Sequence, residues 1–187
     1  MAEQINDVNV EAMRELDRKI RENPALGKRT VKLRSTWQRG TKALVEVGTH
    51  EVGGKAATPR TRRFVLMTDA PPGLGGVDSG PAAIEALLIA VAGCVTSGIA
   101  ANAALFDVPI DGLDVDMEAN IDLRGLLGHD KSIRSGFSDI RYTVTIRSSA
   151  PEEKVRRCKE TIDRKSPVLD TLAKPANITS TLVFKPS

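Results

Sequence analysis

Two thiols, Cys94 and Cys158, are the side chains of this sequence best suited to redox chemistry. Cys94 stands near the middle of the least charged stretch, Gly80 to Phe106, where Glu85 is the single ionisable side chain besides the thiol itself. A thiol so placed has two readings. It is a small buried hydrophobe, as free cysteines commonly are, or it is a nucleophile that needs a neighbouring cation to hold it as thiolate. Mid-helix, the helix dipole contributes little, so the cation has to be an arginine from elsewhere in the chain. Cys158 falls on an apolar stripe with Val155 and Ile162, a packing position. The two histidines, His50 and His129, lack spaced Cys, Asp or Glu partners and read as surface residues, so no metal or cofactor is expected. The GLGG run at 73–76 lacks the GK[ST] ending of a phosphate loop.

The element that must position Cys94 is a long apolar helix over Gly80–Phe106, on which Leu87, Val91, Cys94 and Gly98 share one face at about 100° per residue. Gly93 and Gly98 leave room for a close neighbour. The stretch is long enough to span a bilayer. It is read as a core helix because Gly80, Pro81 and Glu85 interrupt its start and no basic residues flank it.

Before it, residues 8–22 have the three-and-four spacing of an amphipathic helix (Val8 or Val10, Met13, Leu16, Ile20), capped by Asn6 or Asp7 and ended by Asn23-Pro24. It is read as an extension that packs on the main body or on a partner subunit. Strands are predicted at 30–37 and 43–47, joined at Arg39-Gly40, and at 64–67. Residues 51–61 and 69–80 read as loops. After the helix, Leu113 to Leu123 alternates over eleven residues, with Ile140–Arg147 as its antiparallel partner and 125–136 as a loop. A helix follows Pro151, a short one follows Ser166-Pro167, and Ile178–Phe184 alternates as a last strand. Unequal runs of helices and strands imply an α+β fold with antiparallel sheets around the long central helix. Residues 1–27 are a helical extension and 28–187 the main domain.

Composition narrows the function. Aromatic residues make up only 3%, too few for a stacking surface for single-stranded nucleic acid. The net charge of +3, with clusters at Arg60, Arg62 and Arg63 and at Arg156, Arg157 and Lys159, is interleaved with acids elsewhere, so no nucleic-acid partner is expected. Two cysteines and a polar N-terminus without a basic-then-apolar leader fit a cytoplasmic protein with no membrane segment.

The run LLIAVAGCVTSGIAANA, then an alternating strand, a helix begun by Pro-Glu-Glu and the run KSPVLDTL, resembles the OsmC/Ohr family of osmotically inducible and organic-hydroperoxide-resistance proteins, over about residues 28–185. The resemblance implies an intertwined homodimer with two crossing central helices and two sites at the subunit interface. It implies thiol-dependent reduction of a small organic peroxide, with Cys94 as the attacking thiol and an Arg–Glu pair polarising it. A second cysteine, which normally precedes Pro-Val and closes a disulfide, is replaced here by Ser166. The family glutamate falls on Ile84, with Glu85 one residue on and about 180° from Cys94 on an unbroken helix. Arg39 matches the arginine supplied by the N-terminal strands, with Arg34 and Arg63 as alternatives. Without the second thiol, an external thiol reductant is required. Two other readings stand beside this one: a dimeric protein binding a small apolar ligand in the interface pocket, and a Ser166-dependent chemistry, for which no histidine base is in view.

Overall fold

The computed structural model describes residues 5–57 and 63–186; Arg60 and Arg62 of the basic cluster, with Pro59 and Thr61, lie outside the described residues. Asn9, not Asn6 or Asp7, caps the first helix: its Oδ1 accepts from the Ala12 amide at 2.9 Å, and α1 runs Val10–Glu22. Asn6 has a left-handed backbone (φ 57°), which asparagine tolerates. Its side chain grips the main body instead. The amide nitrogen donates to the Val108 carbonyl at 2.9 Å and the amide oxygen accepts from the Ile110 N–H at 2.8 Å.

β1 (Arg29–Arg39) and β2 (Lys42–Val52) form the expected hairpin, closed by Arg39 opposite Lys42 with Gly40 at φ 56° in the turn. The loop expected over 51–61 is strand in its first part. Gly53-Gly54, both at positive φ, let β2 turn back into β3 (Lys55–Ala56), as two-residue hairpin loops require. β4 (Phe64–Thr68) pairs with Ala43–Val47 of β2, so β1 lies on one side of β2 and both β3 and β4 on the other. Every residue of β1 is exposed, Leu33 and Trp37 among them.

The long helix, α2, runs Ala83–Leu105. Val91, Val95, Ile99 and Ala103, each four residues apart, are fully buried. They pack on the inner faces of β5 (Gly112–Asn120) and β6 (Asp139–Arg147), through Leu113, Val115, Val144 and Ile146, and on α4 (Glu152–Lys165). On the opposite side Ile89, Ala90, Gly93, Thr96 and Ser97 are exposed. α2 is long and apolar enough to cross a membrane by length and composition, but this chain covers it along one side and its exposed side carries Thr96 and Ser97.

β5 and β6 pair antiparallel in unbroken register from Gly112–Arg147 to Asn120–Asp139. β5 stops three residues short of the expected Leu123, because Asp122 accepts from the Arg124 amide at 3.0 Å and caps the short helix α3 (Leu123–Leu126), which occupies the start of the expected loop. The strand expected at Ile178–Phe184 is not formed. Its alternation is intact, but the segment pairs with no described strand, and Ile178 and Phe184 are 95% and 80% exposed.

Gly98 sets the distance between α2 and α4. A Cβ there would lie 2.1 Å from Cδ1 and 2.5 Å from Cγ1 of Ile162, which is itself buried. Gly98→Ala is therefore expected to cost about 1–3 kcal/mol, the usual range for overpacking a closed core. It would appear as a lower urea midpoint at unchanged slope. An unaltered midpoint would show that this contact does not limit the helix approach.

Candidate functional site

The contact between Gly98 and Ile162 also decides what meets Cys94. On α2, Cys94 is one turn before Gly98. On α4, Ser166 is one turn after Ile162, at the residue that ends the helix. Side chains four apart share a helix face. Once Ile162 seats over Gly98, the next turn of each helix brings Cys94 to Ser166, and the sulfur lies 3.1 Å from the Ser166 Oγ.

Ser166 sits at an elbow. Its N–H donates to the Ile162 carbonyl at 2.8 Å, ending α4, and Pro167 opens α5 (Pro167–Ala173). Proline is favoured at a first helical position because it has no N–H to leave unpaired. The Ser166 hydroxyl caps α5 by accepting from the Leu169 N–H at 3.1 Å. That bond takes up one lone pair and leaves a hydrogen and a second lone pair toward the sulfur, so either atom of the Cys94–Ser166 pair can donate. Ser166 is 1% exposed, whereas Cys94 is only partly buried.

The other expected site residues are placed elsewhere. Cys158 is buried beside Ile162, its Sγ donates to the Lys154 carbonyl at 3.3 Å, and burial pushes its thiol above the ordinary range. The structure thus keeps it as core packing. Glu85 is exposed on the first turn of α2, where its carboxylate accepts from the Ala82 N–H at 2.7 Å, the favourable place for an anion at a helix start. Arg39 is exposed at the end of β1, Arg34 is exposed on the same strand, and Arg63 pairs with Glu46 at 2.7 Å. Among the described residues, none of these arginines bonds to the Cys94 sulfur, and no three His, Cys, Asp or Glu side chains are grouped to hold a metal ion.

A cavity of about 410 Å³ lies along the same flank of α2. Ile84, Leu87 and Val91 form one wall, Leu169 and Leu172 of α5 another, and Phe137 closes it from the β5–β6 connection. Cys94 does not line it. Val91 is one helical turn before Cys94, and Leu169 one turn after Ser166, so the apolar walls approach the thiol–hydroxyl pair from both helices. Tyr142 also faces the cavity. Its hydroxyl donates to Asp163 Oδ1 at 2.5 Å, and Lys159 holds the other carboxylate oxygen at 2.6 Å. Burial first, and then Asp163, push the Tyr142 phenol above its usual range, so it is a neutral donor tying β6 to α4.

Asp69 was not singled out by its sequence context, yet it organises the loop leading into α2. Its buried carboxylate accepts from the Thr41 hydroxyl (2.6 Å), the Ser79 hydroxyl (2.9 Å) and the N–H groups of Ala70, Val77 and Ser79. These bonds, Thr41 foremost, hold it well below the ordinary carboxylate range. Gly76 completes the turn, since a Cβ there would lie 1.7 Å from the Ala70 carbonyl oxygen. The available signal was an aspartate directly after a strand, ahead of a Pro- and Gly-rich run. It identifies a loop anchor and no reaction.

Comparison with known proteins adds a family and a fold. The family model for OsmC-like protein matches residues 76–181. An OsmC-like protein from Mycoplasma pneumoniae is similar in structure with a TM-score of 0.57 at 13% identity, over 78% of this chain and 89% of that one. An organic hydroperoxide resistance protein OsmC from Legionella pneumophila is similar with a TM-score of 0.50 at 12% identity, over 78% of this chain and 90% of that one. At these identities the solved structures establish a shared α+β fold. No curated protein matches the sequence at a significant level.

Proposed function

The chain belongs to the OsmC-like protein family, and from that membership we propose that it reduces organic peroxides at Cys94, with an external thiol as reductant. The observation that carries this reading is the Cys94–Ser166 contact. It places a partly accessible sulfur against a hydroxyl at a helix elbow, beside an apolar cavity. Cys158, by contrast, is fully buried and bonded to its own helix.

The chemistry balances with one protein thiol. The Cys94 thiolate attacks the terminal oxygen of R–O–OH, an S–O bond forms, the O–O bond breaks, and the alkoxide leaves and takes a proton from water. Sulfur is oxidised to a sulfenic acid and the peroxide is reduced to an alcohol. An external thiol then condenses with the sulfenic acid to a mixed disulfide and water. A second external thiol displaces the Cys94 thiol and leaves as the oxidised pair. The cavity favours an apolar R group. The same cavity supports the second reading, binding of a small apolar ligand without turnover.

The proposal includes a homodimer. The exposed flank of α2, the wholly exposed β1 and the unpaired Ile178–Phe184 segment are surfaces that one chain leaves uncovered. Gly93, Thr96 and Ser97 make the α2 flank small and partly polar, which suits close contact with a second helix better than lipid. Arg39 and Glu85 belong to this reading as groups contributed across the interface, and a reducing, cytoplasmic setting suits two unpaired cysteines. Light scattering is expected to give about twice the 20.1 kDa chain mass. A monomeric mass would refute the dimer.

The activity is tested by mixing the reduced protein with cumene hydroperoxide or hydrogen peroxide and following peroxide loss alongside the mass of the Cys94 peptide. Gain of one oxygen at Cys94, faster with the apolar peroxide, is expected. Unmodified Cys94 with no peroxide loss would leave the binding reading in its place.

A further inference from the structure

We propose that Ser166 is a positioning residue for Cys94: its hydroxyl orients the sulfur for attack and, being unable to form a disulfide, leaves the resulting sulfenic acid to an external thiol. This rests on the peroxide-reducing reading above and goes beyond it by assigning a role to a residue that holds the place of a second cysteine.

The charge on the sulfur fixes the direction of the hydrogen bond, since a thiolate has no hydrogen to donate. Ser166 Oγ has one hydrogen and two lone pairs. The Leu169 N–H, 3.1 Å away, is a donor only, so it must occupy a lone pair. With the Ser166 side chain 1% exposed, water has little access to the remaining lone pair and hydrogen; either atom can donate while Cys94 is a neutral thiol, and once the sulfur is a thiolate the hydroxyl is the donor across the 3.1 Å contact. When sulfur is anionic that bond becomes charge-assisted and strengthens, which a bond between two neutral groups would not do. The elbow holds the donor still. Ser166 N–H is bound to Ile162, Pro167 restricts the next residue, and Ile162 is seated over Gly98. The sulfur is thereby held by an element that does not move with α2 alone.

After peroxide attack, the same arrangement determines the fate of the oxidised sulfur. Closing a disulfide requires a second sulfur about 2.05 Å from the first. The neighbour at that site is oxygen, which cannot take up the oxidising equivalent as a disulfide. Cys158 lies two turns back on α4, with its thiol bonded to Lys154 and its ionisation opposed by burial. The sulfenic acid therefore has no intramolecular thiol partner in this arrangement and persists until a low-molecular-weight thiol or a protein dithiol reaches it.

The test compares Ser166→Ala, Ser166→Gly and Ser166→Thr with wild type. Three readouts are taken: Cys94 oxidation by cumene hydroperoxide, dimedone trapping of sulfenic acid, and the pH profile of Cys94 alkylation by iodoacetamide in the folded protein. Ala and Gly are expected to slow Cys94 oxidation by about tenfold or more, the loss expected for a hydrogen bond to a charged group, and to alter the alkylation profile. Thr, which keeps the hydroxyl, is expected to restore most of both. Dimedone is expected to trap most of the oxidised wild-type Cys94. Gly loses little as a helix cap, so it retains a folded α5 if Ala does not. A residue that only capped α5 would lower the denaturation midpoint on replacement and leave both Cys94 rates unchanged. That result overturns the proposal, as does a wild-type disulfide to Cys158. If wild-type Cys94 ignores peroxide while its alkylation still depends on the Ser166 hydroxyl, the peroxidase reading fails and the positioning role stands.

Discussion

Cys94→Ser is expected to bring hydroperoxide consumption down to the uncatalysed background, a loss of at least about a thousandfold of the kind seen when a nucleophile is removed. The substitution replaces one atom. A serine hydroxyl at the same site keeps the size, the helix propensity and the ability to hydrogen-bond to Ser166, but at neutral pH it is not ionised and does not attack a peroxide oxygen. Folding should be nearly unaffected, because the site is only partly buried and a polar partner already faces it. Cys158→Ala provides the internal contrast. That residue is 1% exposed in the cluster of Val95, Ile99 and Ile162, so its loss leaves a small cavity and lowers stability by about 1 kcal/mol, while Cys94 oxidation proceeds. Peroxide assays and denaturation curves on the two variants should give opposite patterns. Peroxide consumption that survives in Cys94→Ser, or disappears in a folded Cys158→Ala, would remove Cys94 from the centre of the reaction.

The packing position of Cys158 was legible in the sequence because it depends on local pattern. Cys158 falls in a stripe with Val155 and Ile162, and the stripe is what the core buries. The long helix, the hairpin, the β5–β6 pair and both late helices were legible for the same reason, since a period of about 3.6 or 2 is a property of a few consecutive residues. Boundaries failed where a side chain outcompeted the pattern. Asn9 accepted from Ala12 and started α1 later, Asp122 accepted from Arg124 and stopped β5 early, and Gly53-Gly54 turned a loop into a hairpin. The Ile178–Phe184 segment failed differently. Its alternation fits a strand, but a strand needs an edge to pair with, and no property of the segment itself says which chain supplies it.

The site was legible in part only. Cys94 and Ser166 were each singled out, but their meeting spans a sequence separation of 72 and depends on one packing event, Ile162 over Gly98. The sequence face of Leu87, Val91, Cys94 and Gly98 anticipated the direction correctly: Leu87 and Val91 line the cavity, and Gly98 admits the neighbouring helix. What spacing cannot give is the partner of that face, because α4 and α5 could approach α2 in several registers that preserve the same stripes. Gly98 selects among them, since it is the position where a large aliphatic side chain can enter without meeting a Cβ. The Cys94–Ser166 contact is therefore downstream of a packing decision one helical turn away.

Restoring a second thiol tests that register directly. In Ser166→Cys, one equivalent of peroxide is expected to oxidise Cys94 to the sulfenic acid, which condenses with the introduced thiol to an intramolecular disulfide and water, with a net loss of two hydrogens by mass and loss of dimedone labelling. The present oxygen is 3.1 Å from the sulfur. A carbon–sulfur bond is longer than a carbon–oxygen bond, so the introduced sulfur is carried toward the roughly 2.05 Å separation of a disulfide with a small side-chain rotation. The stability balance has two opposing contributions. The reduced variant loses the hydroxyl that caps α5, which costs about 1 kcal/mol. The oxidised variant closes a loop across a separation of 72 residues, for which the chain-entropy model gives about 4 kcal/mol of stabilisation, less any strain. The second contribution is larger. The oxidised variant should therefore melt above wild type and the reduced variant below it, and a reducing agent should interconvert them. Titration with peroxide, intact mass and melting curves with and without reductant measure all three quantities. If the sulfenic acid of Ser166→Cys is instead trapped by dimedone as in wild type, the two helices do not hold these positions together, and both the register through Gly98 and the role given to Ser166 are wrong.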